Sequence, residues 1–173
     1  NITDGARGIV FCGTKRRCDF LDRKIKACGL RSAGAVHGDK DQAEREYSLD
    51  LFRKGKAPLL VATDVAGRGI DVKNIDLVVN YELPHVIENY THRIGRTGRC
   101  GKTGIATTFI NKNQSETILL DLKHLLREAK QRIPPVLAML DDPMDQEAEL
   151  VALTGTKGCA YCGGLGHRIG TCP

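Results

Sequence analysis

No apolar run in this 173-residue chain approaches the ~18 residues that a membrane-spanning helix needs. No membrane partner is therefore expected. The first residues, Asn1 to Ala6, are polar and small, without the basic and apolar regions of a secretory leader. There is no Gly-x-x-x-x-Gly-Lys-Ser/Thr loop, which argues against a self-sufficient phosphate cradle of that type. The glycines at 95, 98, 101 and 104 repeat every three residues without proline, so they read as loop glycines and not as a collagen-like repeat. The chain does not open with Met and closes one residue after Cys172, so it is expected to be a piece of a longer protein.

What is present suits one ordinary domain with a small appendage. Hydrophobic residues make up 41% and charged residues 27%, which is globular composition. The net charge of +5 and a pI near 8.9 favour a polyanionic partner, because Lys and Arg release counterions from phosphates. The seven cysteines are an odd count. Cys12, Cys18, Cys28 and Cys100 are scattered, which argues for a reducing location without a disulfide framework. Cys18 and Cys28 are expected to pack as small hydrophobes.

Short apolar runs alternate with amphipathic stretches through residue 130. Runs at 7–12, 33–37, 58–63, 76–80 and 104–110 predict strands, the first of them buried and that at 58–63 the clearest parallel strand. Thr14 can cap a helix whose inward face is Cys18, Leu21, Ile25 and Cys28, ended by Gly29. A helix from Asp41 is expected to turn Tyr47, Leu51 and Phe52 inward. Helices are also expected over 86–93 and 114–130, the second with Ile118, Leu119, Leu122, Leu125 and Leu126 on its face. This alternation predicts an α/β fold, a parallel sheet with helices on both faces. Two prolines in Ile133-Pro-Pro-Val136 end the pattern. The expected division is a domain at 1–133, a linker at 134–157 with room for a short helix, and a separate tail at 158–173.

That tail reads Cys159-Ala-Tyr-Cys162-Gly-Gly-Leu-Gly-His167-Arg-Ile-Gly-Thr-Cys172. The spacing Cys-x2-Cys-x4-His-x4-Cys supplies three thiolates and one imidazole, a tetrahedral zinc set. So short a segment has almost no core, so Zn2+ must supply its folding energy. The pattern resembles the retroviral-type zinc knuckle, which binds single-stranded nucleic acid. That resemblance would place Tyr161 and Leu165 against bases, with Arg168 and Lys157 near phosphates. Knuckles also bind proteins, so a protein partner stays open.

Four motifs stand in order in the larger part. Ile9-Val-Phe-Cys-Gly-Thr-Lys15 resembles motif IV of DEAD-box helicases, and Gln42-Ala-Glu-Arg45 resembles their Gln-x-x-Arg element. Thr63-Asp-Val-Ala-Gly-Arg-Gly-Ile-Asp71 resembles motif V, and His92-Arg-Ile-Gly-Arg-Thr-Gly-Arg99 motif VI. Residues 5–130 thus resemble the second RecA-like domain of a DEAD-box RNA helicase. The wording at 87–96 and 104–112 resembles the Abstrakt-type branch, which also ends in a zinc knuckle. Thr91 stands where a Val is expected, and Gly170-Thr171 departs from the usual residues while leaving the ligands intact.

The resemblance implies roles. Arg96 and Arg99 would be arginine fingers that neutralise charge on a transferred phosphoryl group. Three apart, they would share one face of a helical turn. His92 would couple the ATP and RNA sites, with Arg93 structural or supporting. Gly69 would admit close backbone approach to ATP, and Asp71 would take its ribose hydroxyl. Thr14, Arg45 and Thr63 would touch RNA phosphates without reading bases. The Asp-Glu-Ala-Asp magnesium motif and Ser-Ala-Thr are missing. They belong to a first RecA-like domain, needed in cis to hold ATP and Mg2+, so this chain alone is expected to have no ATPase activity. The implied partners are RNA, as a single strand or short duplex, with DNA as an alternative, and spliceosomal proteins. The implied location is nuclear, with the cytoplasm as an alternative. A rival reading is a nucleic-acid-binding or protein-interaction module of a splicing-type assembly.

Overall fold

A strand apolar at every position has no face for water, so it must be covered on both sides. In the computed structural model, β1 (Gly8–Cys12) and β3 (Leu59–Thr63) are buried at every residue. The structure describes residues 5–67, 75–98, 101, 103–111 and 113–145. Its remaining elements are α1 (Lys15–Ala27), β2 (Ser32–Val36), α2 (Gln42–Arg53), α3 (Asp64–Gly67), β4 (Leu77–Asn80), α4 (Ile87–Ile94), β5 (Ile105–Thr108), α5 (Glu116–Glu128) and α6 (Pro135–Ala138). The chain divides into two compact units, residues 1–118 and 119–173.

In the first unit the strands form one parallel sheet in the order β2-β3-β1-β4-β5. The expected RecA-like α/β sheet is therefore present. Right-handed crossovers decide where the helices go. The step from β1 to β2 moves two places one way and the step from β2 to β3 moves back, so α1 and α2 cover opposite faces. The core follows. Ile9, Phe11, Val36, Leu60 and Val78 pack with Leu49 and Phe52 of α2. Val10, Cys12, Ala35 and Val61 pack with Cys18, Leu21 and Ile25 of α1.

Two helix faces differ from the sequence expectation. Helix α1 ends at Ala27, and Gly29 at φ +79° turns the chain away, so Cys28 is exposed while Cys18 is fully buried. In α2 Ser48, Leu49 and the expected Phe52 are buried and the expected Leu51 packs partly buried against the core, but Tyr47 is 67% exposed. The cause lies in β2. Gly34 has φ +127°, and a Cβ there would sit 2.9 Å from the Ser48 hydroxyl. The missing side chain makes room for a small serine, and the helix turns that face to the sheet.

In the second unit, residues 134–145, expected within a linker, contain α6. They are tied to α5 by charge. Lys123 Nζ donates to the Leu140 carbonyl at 3.2 Å and to Asp145 at 2.7 Å. Asp142, fully buried, accepts from His124 at 2.9 Å and from the Met144 N–H at 3.0 Å. Arg127 meets Asp145 at 2.7 Å. Burial alone would raise the Asp142 carboxyl, but those hydrogen bonds and the nearby Lys123 ammonium outweigh it and hold it below the usual value of 3.8. The hydrogen bond to Asp145 raises Lys123 in turn.

Candidate nucleic-acid interface

All five strands point the same way, so the residues following them gather on one edge. From β1 the chain departs towards β2 and from β4 towards β5, in opposite directions. This is the switch point where ligand crevices form in open parallel sheets. Beside it, Gly13 and Thr14 follow β1, and Tyr81 and Glu82 follow β4.

Thr14 is exposed and caps α1, its Oγ1 accepting from the Arg17 N–H at 3.3 Å. The first turn of α1 holds Lys15, Arg16 and Arg17 and no acidic residue, so the positive end of the helix carries three cations. Glu82 secures this corner. Its Oε2 accepts from the Gly13 N–H at 2.7 Å, and its Oε1 pairs with Arg17. A Cβ on Gly13 would lie 3.0 Å from that oxygen, so glycine admits the contact. Lys15 pairs with Asp39 and ties the loop after β2 to the same helix start.

Thr63 ends β3 and lies beside Cys12 in register, buried at the same edge. Arg45 is half-buried in the first turns of α2. Its Nη1 donates to Gln42 at 3.4 Å, and its buried Nε has no hydrogen-bond partner among the described residues. His37, at the end of β2, meets Asp19 through Nε2 at 3.1 Å and likewise leaves a buried Nδ1 without a partner. A buried donor left unpaired costs about 1–3 kcal/mol, a reason to look for what it meets in use. Thus Thr14, Arg45 and Thr63 all lie on elements at this edge.

On α4, His92 is exposed and Arg93 is 2% exposed. Arg93 forks onto Asp64, which follows β3, at 2.5 and 2.8 Å. Its Nη1 donates to the Glu82 carbonyl at 2.7 Å and to Asn80 at 3.2 Å, and its guanidinium lies 5.3 Å from the Phe11 ring centre. Arg93 therefore joins α4 to β1, β3 and β4. Helix α4 stops at Ile94, before Arg96. Gly95 follows, and the Arg96 and Thr97 N–H groups reach back three residues, to Arg93 and Ile94, in a tighter turn. Thr97 Oγ1 donates to the Ile75 carbonyl at 2.5 Å. A Cβ on Gly104 would come within 2.1 Å of that hydroxyl and 2.5 Å of the Gly98 nitrogen, so the turn presenting Arg96 requires glycine at 104.

Gly69, Asp71 and Arg99 lie outside the described residues, as do Cys159, Cys162, His167 and Cys172. Sequence reasoning missed Glu82, Asp64, His37 and Asp39. Their importance comes from partners far along the chain; the Gly13 N–H that Glu82 accepts from is 69 positions away.

The family described as "Helicase conserved C-terminal domain" matches residues 1–101. Among curated relatives, DEAD-box ATP-dependent RNA helicase 35 of Arabidopsis thaliana is 61% identical over 165 residues, covering 95% of this chain and 28% of its own. ATP-dependent RNA helicase abstrakt of Drosophila melanogaster is 47% identical over 165 residues, 95% of this chain and 26% of its own. This chain thus spans about a quarter of the length of those relatives. Among solved structures, the yeast DEAD-box splicing factor Prp28 superposes with a TM-score of 0.71 at 33% identity, covering 76% of this chain and 30% of that one.

Proposed function

Since this chain belongs to the helicase conserved C-terminal domain family, we propose that it is the second RecA-like domain of an Abstrakt-type, ATP-dependent DEAD-box RNA helicase. In the longer protein a first RecA-like domain holds ATP and Mg2+. Arg96 and Arg99 complete that site by placing positive charge where the transferred phosphoryl group develops negative charge. Gly69 and Asp71 meet the nucleotide, and His92 lies between nucleotide and RNA. Thr14, Arg45 and Thr63 hold the sugar-phosphate backbone, which carries no sequence information. A strand held bent in this way cannot stay paired, so a short duplex opens locally.

The observation that carries this reading is the shared edge. The three proposed RNA contacts lie on elements at the carboxyl ends of β1–β3, beside three cations of α1, and Arg45 keeps a buried donor unspent. The turn carrying Arg96 is fixed to the same sheet through Arg93 and Thr97.

The tail residues Cys159, Cys162, His167 and Cys172 form a donor set suited to Zn2+, which would supply the folding energy the segment lacks. Support comes from the Arabidopsis and Drosophila matches, which span 95% of the chain and so run into this cysteine-rich stretch. The proposed division is the RecA-like domain at 1–133, a linker at 134–157 and the knuckle at 158–173, in a nuclear protein. A second reading, a nucleic-acid- or protein-binding module of a splicing-type assembly, draws on the Prp28 similarity.

The test is phosphate release with and without RNA. The chain alone should release none above a blank. Joined to its own first RecA-like domain, it should show RNA-stimulated hydrolysis that falls by ~10³ or more in Arg99→Ala. Hydrolysis by the joined protein that Arg99→Ala leaves intact would overturn the finger assignment.

A further inference from the structure

The opposite edge of the sheet, where strands begin, carries a cavity of about 500 Å³. Its walls come from the segments entering β1, β2 and β3. Four of its lining residues are cationic, Arg7, Arg31, Arg53 and Lys54, and none is acidic. Leu30 and Pro58 add apolar wall. We propose that this cavity binds a phosphate-rich anion, at a site separate from the RNA edge.

Cations often gather at helix C-termini to satisfy the last carbonyls, and α1 and α2 both end here. In this fold that need is met by the backbone. Leu30 N–H bonds the Ile25 carbonyl at 3.2 Å and Gly29 N–H the Lys26 carbonyl at 3.0 Å. At the end of α2, Lys56 N–H bonds the Leu51 carbonyl at 3.0 Å and Gly55 N–H the Phe52 carbonyl at 3.1 Å. Both helices close through glycines of positive φ, +79° at Gly29 and +67° at Gly55. Arg7 caps one end carbonyl, that of Arg53, while Arg31, Arg53 and Lys54 cap none among the described residues.

For Arg31, Arg53 and Lys54, other engagements leave donors to spare. Arg7 is preorganised, with Nη1 on the Arg53 carbonyl at 3.2 Å and its guanidinium 5.9 Å from the Phe52 ring centre. Arg53 meets Glu46 only at 3.7 Å, and Lys54 pairs with Asp50 at 2.7 Å, both carboxylates lying on α2 outside the cavity lining. Arg31 is exposed, with no hydrogen bond or ion pair among the described residues. Three arginines in a concave wall suit phosphate oxygens, because the planar fork donates two parallel bonds. A concavity lined by one sign of charge also focuses its field on an entering anion. The size suits a small ligand or a few backbone phosphates, and not a duplex.

The test titrates inorganic pyrophosphate, and separately a short polyuridine, into the full 173-residue chain while following backbone amides by NMR. Pyrophosphate should shift the Gly29 and Gly55 amides. Arg31→Glu should weaken that binding about tenfold, the worth of one good contact. Arg16→Glu makes the same charge change on α1, outside the lining, and should change it little. If polyuridine displaces pyrophosphate from these amides, the phosphates are those of RNA. If it does not, the ligand is a smaller phosphorylated molecule; either result supports the site. Still amides at Gly29 and Gly55, or equal weakening by Arg31→Glu and Arg16→Glu, would overturn it. Neither failure touches the proposed function, which is tested separately by RNA-stimulated hydrolysis in the joined protein.

Discussion

Replacing Arg93 with alanine should destabilise the first unit more than any surface change. The side chain is 2% exposed and gives two bonds to Asp64, one to Asn80 and one to the Glu82 carbonyl. Removing one partner of a buried pair costs about 3–5 kcal/mol, because the other charge is left uncompensated. Asp64 keeps 27% of its side chain exposed, and water there offsets part of the loss, which favours the lower end, about 3 kcal/mol. For a unit of this size that is a fall of roughly 10–15 °C in Tm, read by thermal unfolding followed by circular dichroism. Arg93→Lys keeps the charge but not the fork, so it should recover part of the loss. A double-mutant cycle isolates the pair. With Asp64→Ala already in place, Arg93→Ala should cost about 1–3 kcal/mol less than it does alone. A loss under about 1 kcal/mol in Arg93→Ala, or additive single losses, would refute the view that this fork holds the sheet edge.

Gly104→Ala should cost about 1–3 kcal/mol, because the added methyl enters the space of Thr97 Oγ1 and Gly98 N; urea unfolding measures it, and parent-like stability would show that the turn gives way freely. In the second unit, the lowered Asp142 carboxyl stabilises the α5 contact above its usual value of 3.8, and that support is lost as pH falls through the lower folded value. The raised Lys123 contributes below its usual 10.5 and loses its effect as pH climbs through the higher folded value. The Met144 amide, which donates to Asp142, should therefore titrate by NMR with a midpoint below 3.8, and a midpoint at or above 3.8 would contradict the network. Zinc analysis should find about one ion per chain and less in Cys162→Ser; a fall in RNA affinity with the metal would make the tail a nucleic-acid contact, and unchanged affinity would favour a protein partner.

The sheet was readable because β1 and β3 are covered on both faces, and full burial forces an unbroken apolar run that periodicity detects. Helix starts were readable for a local reason, since Thr14 and Asp41 accept from N–H groups three residues ahead. The inward face of α2 was not. Ser48 is polar by type, and only the missing Cβ of Gly34, fourteen positions away, makes it a core residue. Likewise, the motif that carries Arg93 marked a site, but the partners of Arg93 come from β1, β4, the start of α3 and the turn after β4, and no spacing rule links them. Glu82 was hidden most completely. Its side chain serves α1 and its carbonyl serves α4, and nothing adjacent to it in sequence announces either.

The strand order also bears on how this chain is made. Strand β1, buried at every residue, leaves the ribosome before its neighbours β3 and β4, with Gly8 pairing Leu59 and Leu77. At ~5–20 residues per second, several seconds pass between synthesis of Gly8 and of Leu59. Through that interval Ile9, Val10 and Phe11 form an apolar segment with both edges open, the kind that pairs with other chains. Residues 7–12 are therefore where nascent-chain chaperone capture, or aggregation in its absence, should begin.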